Sequence, residues 1–235
     1  MIVTLGKSVE GRPIRATIHG RCHNPTLLVL GGFHGDEPKS VALAHQLIDE
    51  IESHANAGKS CCWVVVPLVN PDGYQRRRRR NANKIDINRN FPTKNWQTLS
   101  KRSRMYGGIE PGSEPETMAV IKAVTRFRPQ RIVTIHSIGA GRECNNYDGP
   151  ARRLAKLMSR RNGYPATASI GYPTPGSFGA WAGIEQRIPT ITLELPSRHS
   201  VKRCWTDNRD ALLACGQAAE PSNSLLKKSV PVSPM

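Results

Sequence analysis

No stretch of this chain reaches the run of about 18 apolar residues that a membrane-spanning helix requires, which excludes a helical membrane protein. Aromatic residues are few, 6 % of the total, and no stacking platform, helix-turn-helix or zinc-finger pattern stands out. A Cys-x-x-Cys pair is absent, so a cysteine-held structural zinc is excluded. Six cysteines make no disulfide framework in a chain of 235 residues, and the adjacent Cys61 and Cys62 do not easily bridge each other. Cys144 lies near His136 in sequence, with core packing the simplest reading of it. Residues Met1–Lys7 carry no positive region followed by a long apolar one, so no secretory signal is expected. The expectation is a cytoplasmic protein with reduced thiols. No internal repeat is present.

Acids are scarce as well. Against 34 Lys and Arg stand 18 Asp and Glu, leaving a net charge of +16. The excess gathers at Arg76–Arg80, Lys101–Arg104, Arg152–Arg153 and Arg160–Arg161. Such clusters neutralise phosphates in nucleic-acid binders. Here they are scattered over several elements without a recognition motif, which argues against a nucleic-acid partner. Attraction of acidic substrates is a second reading, and a solvated basic surface accounts for the charge equally well.

What the chain does have begins at Gly31-Gly32-Phe33-His34-Gly35-Asp36-Glu37. Thr26–Leu30 before it reads as a short buried strand, and from Ser40 to Ile51 apolar residues recur at helical spacing. The His-x-x-Glu pair therefore sits at a strand-to-helix turn, where glycines let the backbone bend and where sheets of this kind bind ligands. An imidazole and a carboxylate there are two of the three protein ligands a catalytic zinc needs. Ile132–His136 is a second apolar strand ending in histidine. Ile188–Pro196 is a third, and it carries Glu194 among apolar neighbours, where a carboxylate is costly unless paired or used. His34, Glu37 and His136 are the candidate zinc ligands, with a fourth position left for water. Glu194 is the candidate base.

The alternation of elements predicts an α/β fold: a mixed, mostly parallel central sheet with helices on both faces. A single domain is expected over residues 1–219. From Glu220 the Ser-, Pro- and Lys-rich chain reads as a disordered tail, 220–235. Trp63–Val69 is a further strand, closed by the turn signature Asn70-Pro71-Asp72-Gly73. Ser113 to Glu116 reads as the capping box of a helix ending near Arg128, with Pro115 in its first turn. The segment from Asn70 to about Pro111 is too long for a plain connector, and loops of that length are usually functional or disordered.

Several blocks in fixed order then carry a resemblance. They are the His34-x-x-Glu37 turn, Asn70–Gly73, the Asn81–Pro92 stretch with its Asn88-Arg89-Asn90-Phe91-Pro92, Pro111–Thr117, and Thr174–Trp181. Together, from about Gly11 to Pro196, they resemble the zinc carboxypeptidase family and within it the murein peptide amidase branch. The resemblance implies the carboxypeptidase fold and a zinc-dependent peptidase or amidase. It implies that His34, Glu37 and His136 hold one zinc and that Glu194 is general base and acid. By the same resemblance Asn88 and Arg89 hold the substrate's free carboxylate, Arg79 stabilises the oxyanion, and Tyr172 closes over substrate. The implied partner is a small peptide with a free carboxylate, in this branch the γ-D-glutamyl-meso-diaminopimelate bond of a murein peptide. A general zinc carboxypeptidase or an N-acyl amino acid deacylase shares the metal site.

Three departures stand against the family pattern. Five arginines, Arg76–Arg80, replace a milder sequence. Lys84 stands where the branch has glycine. Ser137-Ile138 follow His136 in place of a His-Asp pair. The residue types still suit amide hydrolysis, which needs an activated water, a stabilised oxyanion and a protonated leaving amine. Zinc lowers the pKa of its bound water to about 7. An arginine grips a carboxylate through two parallel hydrogen bonds, which lysine does not.

Overall fold

The computed structural model describes residues 1–21, 26–54 and 57–218. Eight strands form one sheet: β1 (Ile2–Lys7), β2 (Pro13–His19), β3 (Thr26–Leu30), β4 (Cys62–Val66), β5 (Arg131–Ile138), β6 (Cys144–Asp148), β7 (Ala166–Thr167) and β8 (Thr190–Pro196). Six α-helices accompany them: α1 (Pro38–Ser53), α2 (Ala57–Ser60), α3 (Pro71–Gln75), α4 (Pro115–Phe127), α5 (Arg152–Asn162) and α6 (Val201–Gln217). The order across the sheet is β1-β2-β4-β3-β5-β8-β6-β7. Strands β4, β3, β5 and β8 pair in parallel, as do β6 and β7. The β1–β2, β2–β4 and β6–β8 pairs are antiparallel.

The parallel centre follows from its sequence. Every residue of β3 and of β4 is buried, as apolar strands covered on both faces must be. On one face α1, α5 and α6 pack Leu43, Met158 and Leu212 against Val29, Val133 and Leu193. On the other, α4 and a π-helical turn (Gly179–Glu185) set Val120 and Trp181 against Leu28 and Ile132. Each such large side chain contributes about 1.5–3 kcal/mol by leaving water.

Parallel strands also bring the chemistry together. In the β5–β8 register His136 lies directly opposite Glu194. Because strand side chains alternate faces, both project to the side of α4 and the π-helical turn. Strand β3, flanked by β4 on one side and β5 on the other, is where the chain reverses its direction of travel across the sheet. Open α/β sheets bind ligands at the carboxyl ends of such strands.

The structure departs from expectation in several places. The N-terminal hairpin and β6 add antiparallel edges to the strands read from sequence. The strand expected over Trp63–Val69 stops at Val66, and the Asn70 turn becomes the start of α3, with the Asn70 side chain accepting the Gly73 N–H at 2.9 Å. The capping box at Ser113–Glu116 does not form. Glu114 is the N-cap residue of α4 and makes no side-chain cap bond. Glu116 is buried instead, its carboxylate accepting from Asn81 Nδ2 at 3.0 Å and from the Val9 N–H at 3.2 Å. Long-range partners outcompete the local cap. The tail expected over 220–235 lies outside the described residues. No helix among those described is long and apolar enough to cross a membrane.

Candidate metal centre and substrate cavity

From Leu30 the chain turns through Gly31–Glu37 into α1. Gly32 takes a φ of +65°, and a Cβ on Gly35 would fall 2.0 Å from the Gly73 backbone carbon. The turn thus packs against α3 with no room for side chains at these points. It delivers His34 and Glu37 beside His136 of β5. His34 Nδ1 lies 2.8 Å from Glu37 Oε1, and His136 Nδ1 lies 3.3 Å from His34 Nδ1 and 3.2 Å from Glu37 Oε2. Ligands about 2.1 Å from a tetrahedral zinc stand roughly 3.4 Å apart. The three atoms therefore outline one face of that polyhedron, and the donor set fits zinc. Phe33 stacks on the His136 ring at 5.5 Å and fixes its plane.

Asp86 is a site residue that the sequence reading misses. It is fully buried. Its Oδ1 lies 3.1 Å from His34 Nε2 and accepts the Asn88 N–H at 3.0 Å, while Oδ2 accepts from Arg79 Nε at 2.9 Å. Held this way, His34 turns its Nδ1 to the centre, the usual task of a carboxylate behind a metal-binding histidine. An acid between Ile85 and Ile87 was the available signal. Burial penalises charge on His34, yet Glu37 and Asp86 outweigh it and push the imidazole up to about 9. Burial also raises Glu37 and Asp86, but His34 beside each holds both well below the usual carboxylate range. Two carboxylates gripping one imidazolium have the charge balance that a divalent cation would satisfy.

A cavity of about 200 Å³ adjoins the triad, lined in part by Arg79, Asn88, Arg89, Asp148, Tyr172 and Glu194. Glu194 is 6 % exposed, and burial raises its carboxyl. That is the direction wanted in a group that takes and returns a proton near neutrality. Of the arginine run, Arg79 reaches the centre, its Nη2 2.9 Å from Asp86 Oδ2 and its Nη1 3.6 Å from Glu37 Oε1. Arg76 pairs with Glu10, and Arg80 donates to the Lys101 and Ser103 carbonyls. Lys84 holds a φ of +64°, a conformation glycine adopts freely.

Arg89 is 4 % exposed and its Nε has no partner. Asn88 Oδ1 accepts the Phe178 N–H at 2.9 Å. Tyr172 stands exposed at the mouth, its ring centroid 6.0 Å from the Arg142 guanidinium. Asp148, at the end of β6, is a second residue that the sequence reading misses. Burial alone pushes its carboxyl up to about 6, and a Cβ on Gly179 would fall 2.3 Å from its Oδ2. Cys144 lies opposite Glu194 in the β6–β8 register, buried, with its thiol pushed up to about 11. It packs. The other described cysteines are also buried, while Cys22 lies outside the described residues.

The zinc carboxypeptidase profile matches residues 1–204. The chain belongs to the zinc carboxypeptidase family. Murein peptide amidase A of Escherichia coli K12 is 33 % identical to it over 206 residues, covering 81 % of this chain and 79 % of its own length. The human carboxypeptidase N catalytic chain is 30 % identical over 290 residues, covering 90 % and 62 %. Among solved structures, the murein-tripeptide amidase from Escherichia coli O157 superposes with a TM-score of 0.70 at 26 % identity, covering 94 % of this chain and 93 % of its own. Bovine thrombin-activatable fibrinolysis inhibitor reaches a TM-score of 0.79 at 21 % identity over 92 % and 88 %, a likeness of fold alone. As a zinc carboxypeptidase the protein is a hydrolase, and His34, Glu37 and His136 form its His-Glu-His site.

Proposed function

We propose that this zinc carboxypeptidase cleaves the amide next to a terminal, carboxylate-bearing residue of a small peptide, its favoured substrate being a murein peptide cut between γ-D-glutamate and meso-diaminopimelate. One observation carries the reading. The cavity beside the metal centre holds a buried guanidinium, Arg89, and a half-buried carboxylate, Asp148, neither of them ion-paired among the described residues. Diaminopimelate offers the complement, a carboxylate beside the scissile nitrogen and an ammonium at the far end of its side chain. Kinship with the murein peptide amidases supports the same substrate.

In this mechanism residues 1–219 act as one unit holding one zinc. His34, Glu37 and His136 would hold the zinc, which would supply Lewis acidity and bring the pKa of the attacking water to about 7. Arg89 and Asn88 grip the substrate carboxylate and fix the amide over the centre. Arg79 faces the charge that develops on the carbonyl oxygen, a role worth about 10²–10³ in rate for a single donor. Glu194 takes the proton from the attacking water and returns it to the leaving nitrogen. Tyr172 closes the mouth. A cytoplasmic setting suits the buried thiols of Cys61, Cys144, Cys204 and Cys215.

Two expected results bear on recognition. Amidating the substrate carboxylate leaves Arg89 facing a neutral group at a cost of about 1.5–3 kcal/mol, so kcat/KM falls by one to two decades. Arg89→Lys should fall comparably on the free acid and show a smaller amidation penalty, because both changes remove one contact. Equal turnover of acid and amide would remove the carboxylate clamp.

Asp148 predicts a pH signature. Above about 6 it is ionised and attracts an ammonium side chain, and below that it is neutral. The ratio of kcat/KM for a cationic over a neutral side chain should therefore rise with pH through about 6. Asp148→Asn should flatten that ratio. The same substitution should raise stability, since an acid with a raised folded pKa destabilises the fold above that pKa. The gain is about 2–3 kcal/mol at pH 8 and vanishes below about pH 4. A ratio that ignores pH in the parent sinks this role.

The deciding experiment incubates the protein with a panel of muropeptides, C-terminal peptides and N-acyl amino acids and reads products by mass spectrometry. Release of diaminopimelate supports the proposal. Release of ordinary C-terminal residues makes it a general zinc carboxypeptidase, and deacylation makes it an N-acyl amino acid deacylase. No hydrolysis, with nucleic-acid affinity falling steeply in salt, would point to the other class.

A further inference from the structure

A second cavity lies at the opposite end of the same strands. Its volume is about 370 Å³, within the range of small-molecule sites. Arg131, which opens β5, and Pro189, just before β8, mark its floor. His136 is five residues further along β5, roughly 16 Å away at the rise of a strand, so nothing bound here touches the reacting atoms. Helix α5 supplies one wall with a mixed face: Leu154 and Leu157 are apolar, while Arg153, Arg160 and Arg161 are basic. Those positions recur at helical spacing and so share one side of the helix.

Arg131 is the unusual member. It is 6 % exposed, its Nη1 donates to the Ala218 carbonyl at 2.5 Å, and its buried Nε has no partner among the described residues. Among the described residues none of these four arginines forms an ion pair. Four guanidiniums around one recess repel one another and raise the local concentration of anions. Leucine, proline and alanine surfaces between them favour an apolar body. None of these residues takes part in the hydrolytic site.

We infer that this recess binds a small amphipathic anion, a carboxylate or phosphate carried on a short apolar chain, at a site separate from the metal centre. The anionic head meets Arg131 and the arginines of α5, and the chain lies against Leu154 and Leu157. A fatty-acid carboxylate and an alkyl phosphate share this chemistry, and they are separate arms of the test.

Octanoate, octyl phosphate, octylammonium and inorganic phosphate are titrated into the full-length zinc-loaded protein by calorimetry. At least one of the two octyl anions should bind at one per chain, with the preferred head identifying the source. Octylammonium and inorganic phosphate should each bind at least about tenfold more weakly, for want of the charge-assisted bond or of the apolar contact. Arg153→Gln with Arg161→Gln, both exposed and outside the catalytic machinery, should weaken the octyl anion by about tenfold or more while hydrolysis is unchanged. Leu157→Ser should weaken it several-fold without changing the response to inorganic phosphate. Equal affinity for octylammonium, or affinity unmoved by the double arginine variant, overturns the assignment. So does an absence of saturable binding by either octyl anion.

Discussion

Glu194→Gln is expected to leave zinc content and fold intact while lowering kcat by about 10² or more. Glutamine keeps the shape of the side chain and its place opposite His136 in the β5–β8 register. It takes no proton from water and returns none to the leaving nitrogen. Burial raises the Glu194 carboxyl, so the acid limb of kcat/KM should lie above the ordinary glutamate range, with activity falling as pH drops through it. A substrate with a neutral side chain isolates that limb from Asp148, and the glutamine variant should lack it. Steady-state rates on both proteins across pH decide the matter. Activity within a few-fold of the parent would move the base elsewhere.

His136→Ala is expected to abolish both metal and activity. Removing it leaves His34 and Glu37, and two protein ligands hold zinc weakly. Metal analysis after dialysis should find close to one zinc per parent chain and only a small fraction in the variant. Asp86→Asn tests the layer behind the ligands. It removes the carboxylate that faces His34 Nε2 and Arg79, and loss of such a partner typically costs 10–100-fold in metal affinity, so the variant should bind zinc about that much more weakly. The two variants should differ in kind, since excess zinc restores Asp86→Asn and leaves His136→Ala inactive. Full zinc occupancy in His136→Ala would reject the ligand set.

The parts of the fold legible in the sequence were those with strong local signals. Thr26–Leu30 is apolar after its first residue and forms β3 with those bounds, and the histidines that follow or close two apolar runs arrive at one centre. The hairpin β1–β2 was not legible, because β1 alternates weakly and is largely exposed. Strand β6, with the sequence Cys-Asn-Asn-Tyr-Asp, has little apolar character, and Asp148 was hidden with it. Asp86 is not legible because its partners lie on other segments, His34 in the turn after β3 and Arg79 within the arginine run. The capping box failed for the converse reason. Its local pattern was sound, but Glu114 and Glu116 both receive hydrogen bonds from Asn81, more than 30 positions earlier in the chain.

The segment bearing Tyr172 is fastened to Asn88 and Arg89, the proposed carboxylate clamp. Phe91 donates its N–H to the Gly176 carbonyl at 3.0 Å, Phe178 donates to Asn88 Oδ1, and a Cβ on Gly176 would fall 2.3 Å from the Arg89 carbonyl. Beyond Gly176 the backbone therefore has no slack, and any swing of the tyrosine is confined to the few residues between β7 and that glycine. In the proposed mechanism lid and clamp share a hinge pin: substrate held by Asn88 and Arg89 would brace the anchor of the Tyr172 segment, so the mouth would close by a short local displacement without movement of the sheet that carries His136 and Glu194.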